Sequence, residues 1–218
     1  MNILAIDTCT DVASVTLYSS NVKTTRVLSG IEKSSGYILK LCDEVFKEAG
    51  SNLQEVDLIS YTKGPGAFTG VRMCVGVVQG LSLSCGIPTL GFSTLEMLAF
   101  RASKILKKDK IATAIDARMG EVYWAVYDNG SISNMRICKP ENVDNLGTGF
   151  IGVGSGWKVH NDELIKASQI NHTDSNIYPE STDLIDLSLL AIELGQKATF
   201  DLPQPIYLRN NVAQKSLK

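Results

Sequence analysis

The chain has 218 residues, of which 44% are hydrophobic and 20% charged, and its formal net charge is -2. This is the composition of an ordinary globular protein with room for one large domain or two small ones. A nearly neutral chain has no general electrostatic attraction for a polyanion, so contact with nucleic acid has to be local or come through a partner.

The first residues predict a strand rather than a targeting segment. Residues 1–7 lack the basic and long apolar regions of a signal peptide, and no uninterrupted apolar run approaches the ~20 residues of a membrane span. The five cysteines are never spaced as C-x-x-C, which argues against a disulfide framework or a zinc knuckle. We therefore expect a cytoplasmic protein with no membrane partner.

Predicted strands and turns occur twice along the chain in the same order. The strands cover residues 3–8, 13–18 and 22–28, and then residues 111–117, 121–127 and 132–138. A shift of 109 residues superposes the two stretches without a gap and places Asp7 on Asp116 and Tyr18 on Tyr127. The gapless register favours internal duplication over a chance likeness between two hairpins.

Each of these units leads into a further apolar strand and a glycine-rich loop. The strands are predicted at residues 58–62 and 150–153, and the loops at residues 64–66 and 154–156. Three antiparallel strands, a helix and a fourth strand, twice over, form the layout of the actin, hexokinase and Hsp70 superfamily. We therefore predict an α/β protein with a duplicated actin/hexokinase/Hsp70-like (ribonuclease H-like) fold, in which two mixed β-sheet lobes with helices occupy residues 1–105 and 106–218.

An amphipathic helix is predicted at residues 35–49. Its apolar side chains recur at the helical period and form one stripe. The stripe consists of Ile38, Leu41, Cys42, Val45, Phe46 and Ala49. Gly50 follows as a stop signal.

A second helix is predicted at residues 69–85, and it is apolar on nearly every side. Arg72 and Gln79 are its only strongly polar members, so it is buried or docks against something else. Gly76 and Gly80 each cost about 1 kcal/mol relative to alanine in a helix interior. Close approach of another backbone would offset that cost, and the neighbour is either a partner chain or another element of the same lobe.

Three further helices are predicted, at residues 95–105, 162–170 and 183–196. Residues 104–110 form the basic connection between the two halves. The tail at residues 204–217 contains the apolar run Ile206, Tyr207 and Leu208, and we expect it to pack back on the body.

Two aspartates and two loops are candidates for a nucleotide site. Asp7 and Asp116 each end a strand, where such residues can hold a magnesium ion and phosphates across a cleft, although each can equally cap its own turn. The loops at residues 64–66 and 152–156 could offer backbone N–H groups to a phosphate. Neither loop matches a P-loop, and no Rossmann glycine pattern follows the first strand.

The sequence offers no candidate for metal-dependent or nucleophilic catalysis. Its two histidines, His160 and His172, are twelve apart and form no ligand pair on a helix. No Cys–His or Ser–His constellation is recognisable. We therefore predict no metal site and no catalytic residue.

The most specific stretch lies at residues 61–88. It reads YTKGPGAFTGVRMCVGVVQGLSLSCGIP and closely resembles the bacterial TsaB family, above all at residues 64–72. Further matches span nearly the whole chain. They are residues 3–8, 91–95 and 116–125, Tyr207, Leu208 and Arg209, and then Val212 and Ala213. Where many relatives have Lys-His-Ser or Arg-His-Ser before the first helix, this chain has Glu32, Lys33, Ser34 and Ser35.

The resemblance implies a non-catalytic subunit required to make threonylcarbamoyladenosine beside the anticodon of tRNA. Such a subunit forms a heterodimer with the catalytic subunit TsaD, is joined by the ATPase TsaE, forms a homodimer when alone, and meets tRNA through the complex. ATP and Mg²⁺ are then used by the partner subunits, and the chain itself holds no cofactor.

The resemblance also assigns residues. The two first-half helices become the docking surface, with Ile38, Leu41, Cys42, Val45, Val71, Arg72, Val75, Gly76, Gln79 and Gly80 as contacts. A vestigial nucleotide site would consist of Asp7, Thr8, Asp116 and Gly154. The alternatives are a Mg-ATP-dependent small-molecule kinase or ATPase of the same superfamily, and a peptidase, for which the sequence shows no ligand set or nucleophile.

Overall fold

The computed structural model describes residues 1–29 and 35–209. The family departure at Glu32, Lys33 and Ser34 and the motif positions Val212 and Ala213 lie outside these ranges. The strands of the first sheet are β1 (Ile3–Asp7), β2 (Val12–Ser19), β3 (Val22–Ser29), β4 (Leu58–Thr62) and β5 (Thr89–Phe92). Those of the second are β6 (Lys110–Asp116), β7 (Val122–Asp128), β8 (Ser131–Cys138), β9 (Ile151–Val153) and β10 (His172–Asp174).

Six α-helices are found in the described ranges. They are α1 (Ser35–Ala49), α2 (Phe68–Cys85), α3 (Thr94–Leu106), α4 (Ser155–Val159), α5 (Asn161–Ser168) and α6 (Ser181–Glu193). Short 3-10 turns lie at Leu53–Glu55 and Pro140–Asn142.

The two sheets have the same topology. The strand order is β3-β2-β1-β4-β5 in the first sheet and β8-β7-β6-β9-β10 in the second. In each, the first three strands pair antiparallel and the last two join in parallel. The predicted duplication into two mixed sheets is therefore confirmed.

Two details of the repeat differ from the prediction. The fifth strands, β5 and β10, have four and three residues and were not predicted, because such short parallel edge strands show no period in the sequence. The register also differs by one residue between the copies. Tyr18 pairs with Ile3, whereas Tyr127 pairs with Ile111, one residue before the position that a uniform 109-residue shift gives.

Helices cover both faces of each sheet. Side chains of β1 alternate between the faces: Leu4 and Ile6 pack with α1 and α2, whereas Ile3 and Ala5 pack with α6. The second sheet lies between α3 on one face and α4 and α5 on the other, where Trp124 and Trp157 are fully buried.

Two helices pack across the predicted boundary between the lobes, which was placed between residues 105 and 106. Helix α6 follows the second sheet in sequence but packs on the first, and α3 packs against β6 of the second sheet. Helix α3 packs on the strand that follows it, whereas α6 packs on a sheet whose last strand ends before α3 begins, and such a non-local contact leaves no local pattern in the sequence.

By length and composition, α2 could cross a membrane, as could many core helices of globular proteins. Val71, Cys74 and Val78 of this helix are buried in the core of the first lobe.

Candidate functional site

The predicted phosphate loop of the first half is packed against the end of β1. Ala67 N donates to Cys9 O at 2.9 Å, and Thr8 Oγ1 donates to Gly70 O at 2.6 Å. A Cβ on Gly66 would lie 2.1 Å from Cys9 O, and one on Gly70 would lie 2.1 Å from Thr8 O. Close packing between two backbones therefore explains these glycines.

Asp7 and Thr8 lie beneath this loop, and both are fully buried. The Asp7 carboxylate accepts hydrogen bonds from Cys9 N and Thr62 Oγ1, as expected of an aspartate that orders its own turn. Of the four predicted nucleotide-site residues, Asp116 and Gly154 line the cleft between the lobes. Asp7 and Thr8 do not line it, although the next residue, Cys9, does.

That cleft has a volume of about 760 Å³. Its wall includes the apolar side chains of Leu98, Ile115 and Ile177. At its polar end, Asp116 forms an ion pair with Arg118 at 3.1 Å.

The second glycine loop is also explained by packing. A Cβ on Gly152 would overlap the Trp157 indole, and one on Gly154 would lie 2.6 Å from Ala114 O. Gly154 also has φ +103°, a conformation that favours glycine. Both loops thus allow the following helix to begin close to the central strand of its sheet.

The buried thiols are poorly suited to nucleophilic chemistry. Burial raises the pKa of Cys74 well above its ordinary value, and neighbouring Cys9 and Asp7 raise it further. Burial likewise raises the pKa of Cys42 to about 12. Among residues 1–29 and 35–209, no group of three or more His, Cys, Asp or Glu side chains is arranged to hold a metal ion.

Six of the ten predicted docking residues face the core of the first lobe. They are Ile38, Leu41, Cys42, Val45, Val71 and Val75, and none is more than 8% exposed. Their side chains pack between α1, α2 and the first sheet. They cannot provide exposed docking surface, and that part of the prediction is corrected.

The other side of α2 exposes both helix glycines. A Cβ on Gly76 or on Gly80 would meet no atom of the described chain within 4 Å. The alternative of a close neighbour within the same lobe is therefore not found among the described residues. A groove of about 470 Å³ runs along the two glycines and is lined by Leu39, Arg72, Met73, Gly76, Val77, Gly80 and Leu81. We call this surface the glycine face.

Two exposed leucines near the glycine face were missed at the sequence level. Leu39 of α1 is 47% exposed and Leu83 of α2 is 71% exposed. Leu39 lies outside the apolar stripe of α1, and this position was the only feature of the sequence that could have indicated its exposure. Leu83 is one apolar residue in a helix that is apolar all round, so its exposure could not be read from a period.

The two polar side chains of α2 contact the C-terminal segment of the same chain. Gln79 Nε2 donates to Pro203 O at 2.8 Å, and Arg72 Nε donates to Tyr207 Oη at 3.0 Å. The expectation that the apolar tail packs back on the body is confirmed up to Arg209. The contacts predicted for Arg72 and Gln79 with a partner stay a prediction.

Two curated proteins match the chain along its whole length. The tRNA threonylcarbamoyladenosine biosynthesis protein TsaB of Escherichia coli is 33% identical over 227 residues, which cover 100% of this chain and 98% of the relative. The protein of the same name from Haemophilus influenzae is 32% identical over 234 residues, which cover 100% of this chain and 97% of the relative. The chain belongs to the TsaB family.

Solved structures agree with this assignment. A Pseudomonas aeruginosa protein described as uncharacterized, with similarity to peptidase YeaZ, superposes with a TM-score of 0.85 at 32% identity, covering 95% of this chain and 99% of the other. YeaZ from Pseudomonas aeruginosa superposes with a TM-score of 0.84 at 32% identity and the same coverage. These likenesses confirm the actin/hexokinase-like fold for this TsaB-family chain.

A family model adds a relationship beyond TsaB. The model described as TsaD, tRNA N6-adenosine threonylcarbamoyltransferase, matches residues 30–190. The matched range includes α1 and α2. This part of the chain is therefore similar in sequence to the TsaD family.

The packing of the TsaB motif at residues 64–72 gives a testable result. We expect Gly70→Ala to lower the free energy of unfolding by about 2 kcal/mol, because its Cβ would overlap Thr8 O and overpacking typically costs 1–3 kcal/mol. Gly76→Ala in the same helix is the control, since its Cβ meets open space and alanine favours helix. Urea unfolding followed by circular dichroism measures both. Equal stability of the two variants would contradict the packing described for the loop.

Proposed function

We propose that the chain is a non-catalytic docking subunit required for threonylcarbamoyladenosine formation in tRNA, and that it binds a TsaD-like catalytic subunit through the glycine face. The observation that supports this most is the open position of Gly76 and Gly80. Each glycine destabilises α2 by about 1 kcal/mol relative to alanine. No described part of the chain packs into the space beside these glycines. A partner helix could pack closely against this face and so offset their cost.

The TsaD-like partner is favoured because it carries equivalents of the same helices. The TsaD family model spans α1 and α2, so two homologous faces could pack as an approximately symmetric pair. The same geometry allows two copies of this chain to pair when the partner is absent. The names of the full-length relatives support the biosynthetic role.

The other components are assigned on the same basis. We propose that a TsaE-like ATPase joins the pair, that tRNA is contacted through the complex, and that ATP and Mg²⁺ are used by the partner subunits. A cytoplasmic location fits a tRNA-modifying assembly. The alternative of a Mg-ATP-dependent kinase or ATPase has less support, because Asp7 and Thr8 are buried under the loop that would have to hold the phosphates.

Reconstitution tests the proposed role. We expect the purified chain to be inactive by itself and to restore tRNA modification when it is mixed with TsaD-like and TsaE-like subunits and the enzyme that makes the threonylcarbamoyl adenylate. Mass spectrometry of tRNA nucleosides measures the product. The same mixture without this chain is the control, and equal product in both mixtures would refute the proposal.

A further inference from the structure

The C-terminal segment runs along the first lobe as an ordered strap, which we define as residues 199–209. It begins at the edge of the first sheet, where Thr199 and Thr89 exchange backbone hydrogen bonds of 2.8 and 3.0 Å. Ile206 N donates to Lys63 O at 2.7 Å, next to the glycine-rich loop. The strap is therefore tied to the first lobe at both ends of α2.

The strap also holds one flank of the glycine face. Gln79 bonds to Pro203 O and Arg72 to Tyr207 Oη, and these two side chains lie two helical turns apart on α2. The Arg72 guanidinium stacks over the Phe68 ring, 3.3 Å from its centroid, and lies 5.6 Å from the centroid of Tyr207. Tyr207 is 50% exposed and extends the surface beside the groove.

Arg209 then crosses to the second lobe. Its guanidinium donates to Ala117 O at 3.1 Å, Arg118 O at 3.4 Å and Glu121 Oε2 at 2.6 Å. The acceptors are all in the turn between β6 and β7, and the Arg209 side chain is only 17% exposed. All three bonds come from Nη2, and Nη1 lies 2.8 Å from Met119 Sδ, so the guanidinium is held along the whole turn and its bond to the Glu121 carboxylate is charge-assisted.

We propose that the strap is a positioning element of the docking surface and that Arg209 couples this surface to the second lobe. The proposal rests on the proposed function, since it assumes that the glycine face binds the TsaD-like subunit. With Arg209 in place, the strap fixes Arg72, Gln79 and Tyr207 along the flank that the partner meets. When Arg209 is released, these side chains lose their support and the lobes lose a connection across the cleft.

Arg209→Ala in the full chain tests the coupling. We expect amide hydrogen exchange to rise about tenfold in residues 199–209 and 117–121, because the lost charge-assisted bonds are each worth roughly a tenfold change or more. Affinity for the TsaD-like subunit, measured by calorimetry, should fall about 5- to 10-fold. Arg209→Lys should give intermediate values. Tyr207→Phe removes only the acceptor for Arg72 and should lower affinity about threefold, which keeps the test usable if Arg209→Ala folds poorly.

Arg136→Ala is the matched control. Arg136 Nη atoms also bind a carboxylate, Asp144 at 2.9 Å, and the carbonyls of Asn134 and Asn142, but they do so within the second lobe and away from the strap. We expect this variant to leave partner affinity unchanged. If Arg209→Ala behaves like Arg136→Ala in affinity while Gly76→Leu weakens binding, the strap proposal is wrong and the docking proposal stands. If neither Arg209→Ala nor Gly76→Leu weakens binding, both proposals fail.

Discussion

Gly76→Leu is expected to weaken binding to the TsaD-like subunit by about 10- to 100-fold and to leave the chain folded. A leucine at this position fills the space between α2 and a closely packed partner helix, and overpacking of a tight contact typically costs 1–3 kcal/mol. In the free chain the new side chain meets no described atom within 4 Å at its Cβ. Replacing a helix glycine should even raise the free energy of unfolding, by up to about 1 kcal/mol.

Opposite changes in stability and binding distinguish a docking face from a core position. Calorimetry with the TsaD-like subunit measures the affinity, and sedimentation measures pairing of the chain with itself. Lys166→Leu is the control, because it adds an exposed leucine to α5 of the second lobe without touching the glycine face. Unchanged affinity in Gly76→Leu would contradict the proposed docking site, and a loss of folding would restore the alternative of an internal neighbour.

Strong local periods were sufficient to predict several elements. Helix α1 begins and ends at the predicted residues 35 and 49, and β4 occupies the predicted residues 58–62. In both segments the apolar pattern is unambiguous over the whole length. The duplicated hairpins were predictable for the same reason, since their turns carry residues that adopt positive φ, including Asn129 and Gly130.

The docking residues show where the sequence is insufficient. A helical period shows that Ile38 and Val45 share a face, but it does not show whether that face meets the chain's own sheet or a partner. In the structure both are fully buried in the lobe. The open side of α2 was visible only as two unexplained glycines, and the strap contacts join residues more than 120 positions apart. Such non-local pairings leave no local pattern.

The packing of α6 on the first sheet has a further consequence for stability. Asp183 of α6 is 5% exposed and is paired with Arg101 and Lys104 of α3, the Lys104 contact being 2.8 Å. We expect Asp183→Ala to lower the free energy of unfolding by about 2 kcal/mol, since it removes the buried carboxylate that joins the two cations, which keep Glu180 and Asp186 as their other partners. Chemical unfolding at neutral pH measures the loss.

Asp186→Ala separates this effect from general charge removal. Asp186 contacts Lys104 and Lys23 in the same network but is 32% exposed, so its loss should cost less than about 1 kcal/mol. Burial acts to raise the pKa of Asp186, but hydrogen bonds from the two lysines outweigh it and the pKa is lowered. Its contribution is therefore present above the unfolded-state pKa of about 4 and is lost as the pH falls through the lower folded value. Equal destabilisation by Asp183→Ala and Asp186→Ala would contradict this explanation, because it would show that the burial of Asp183 does not strengthen the contact between α3 and α6.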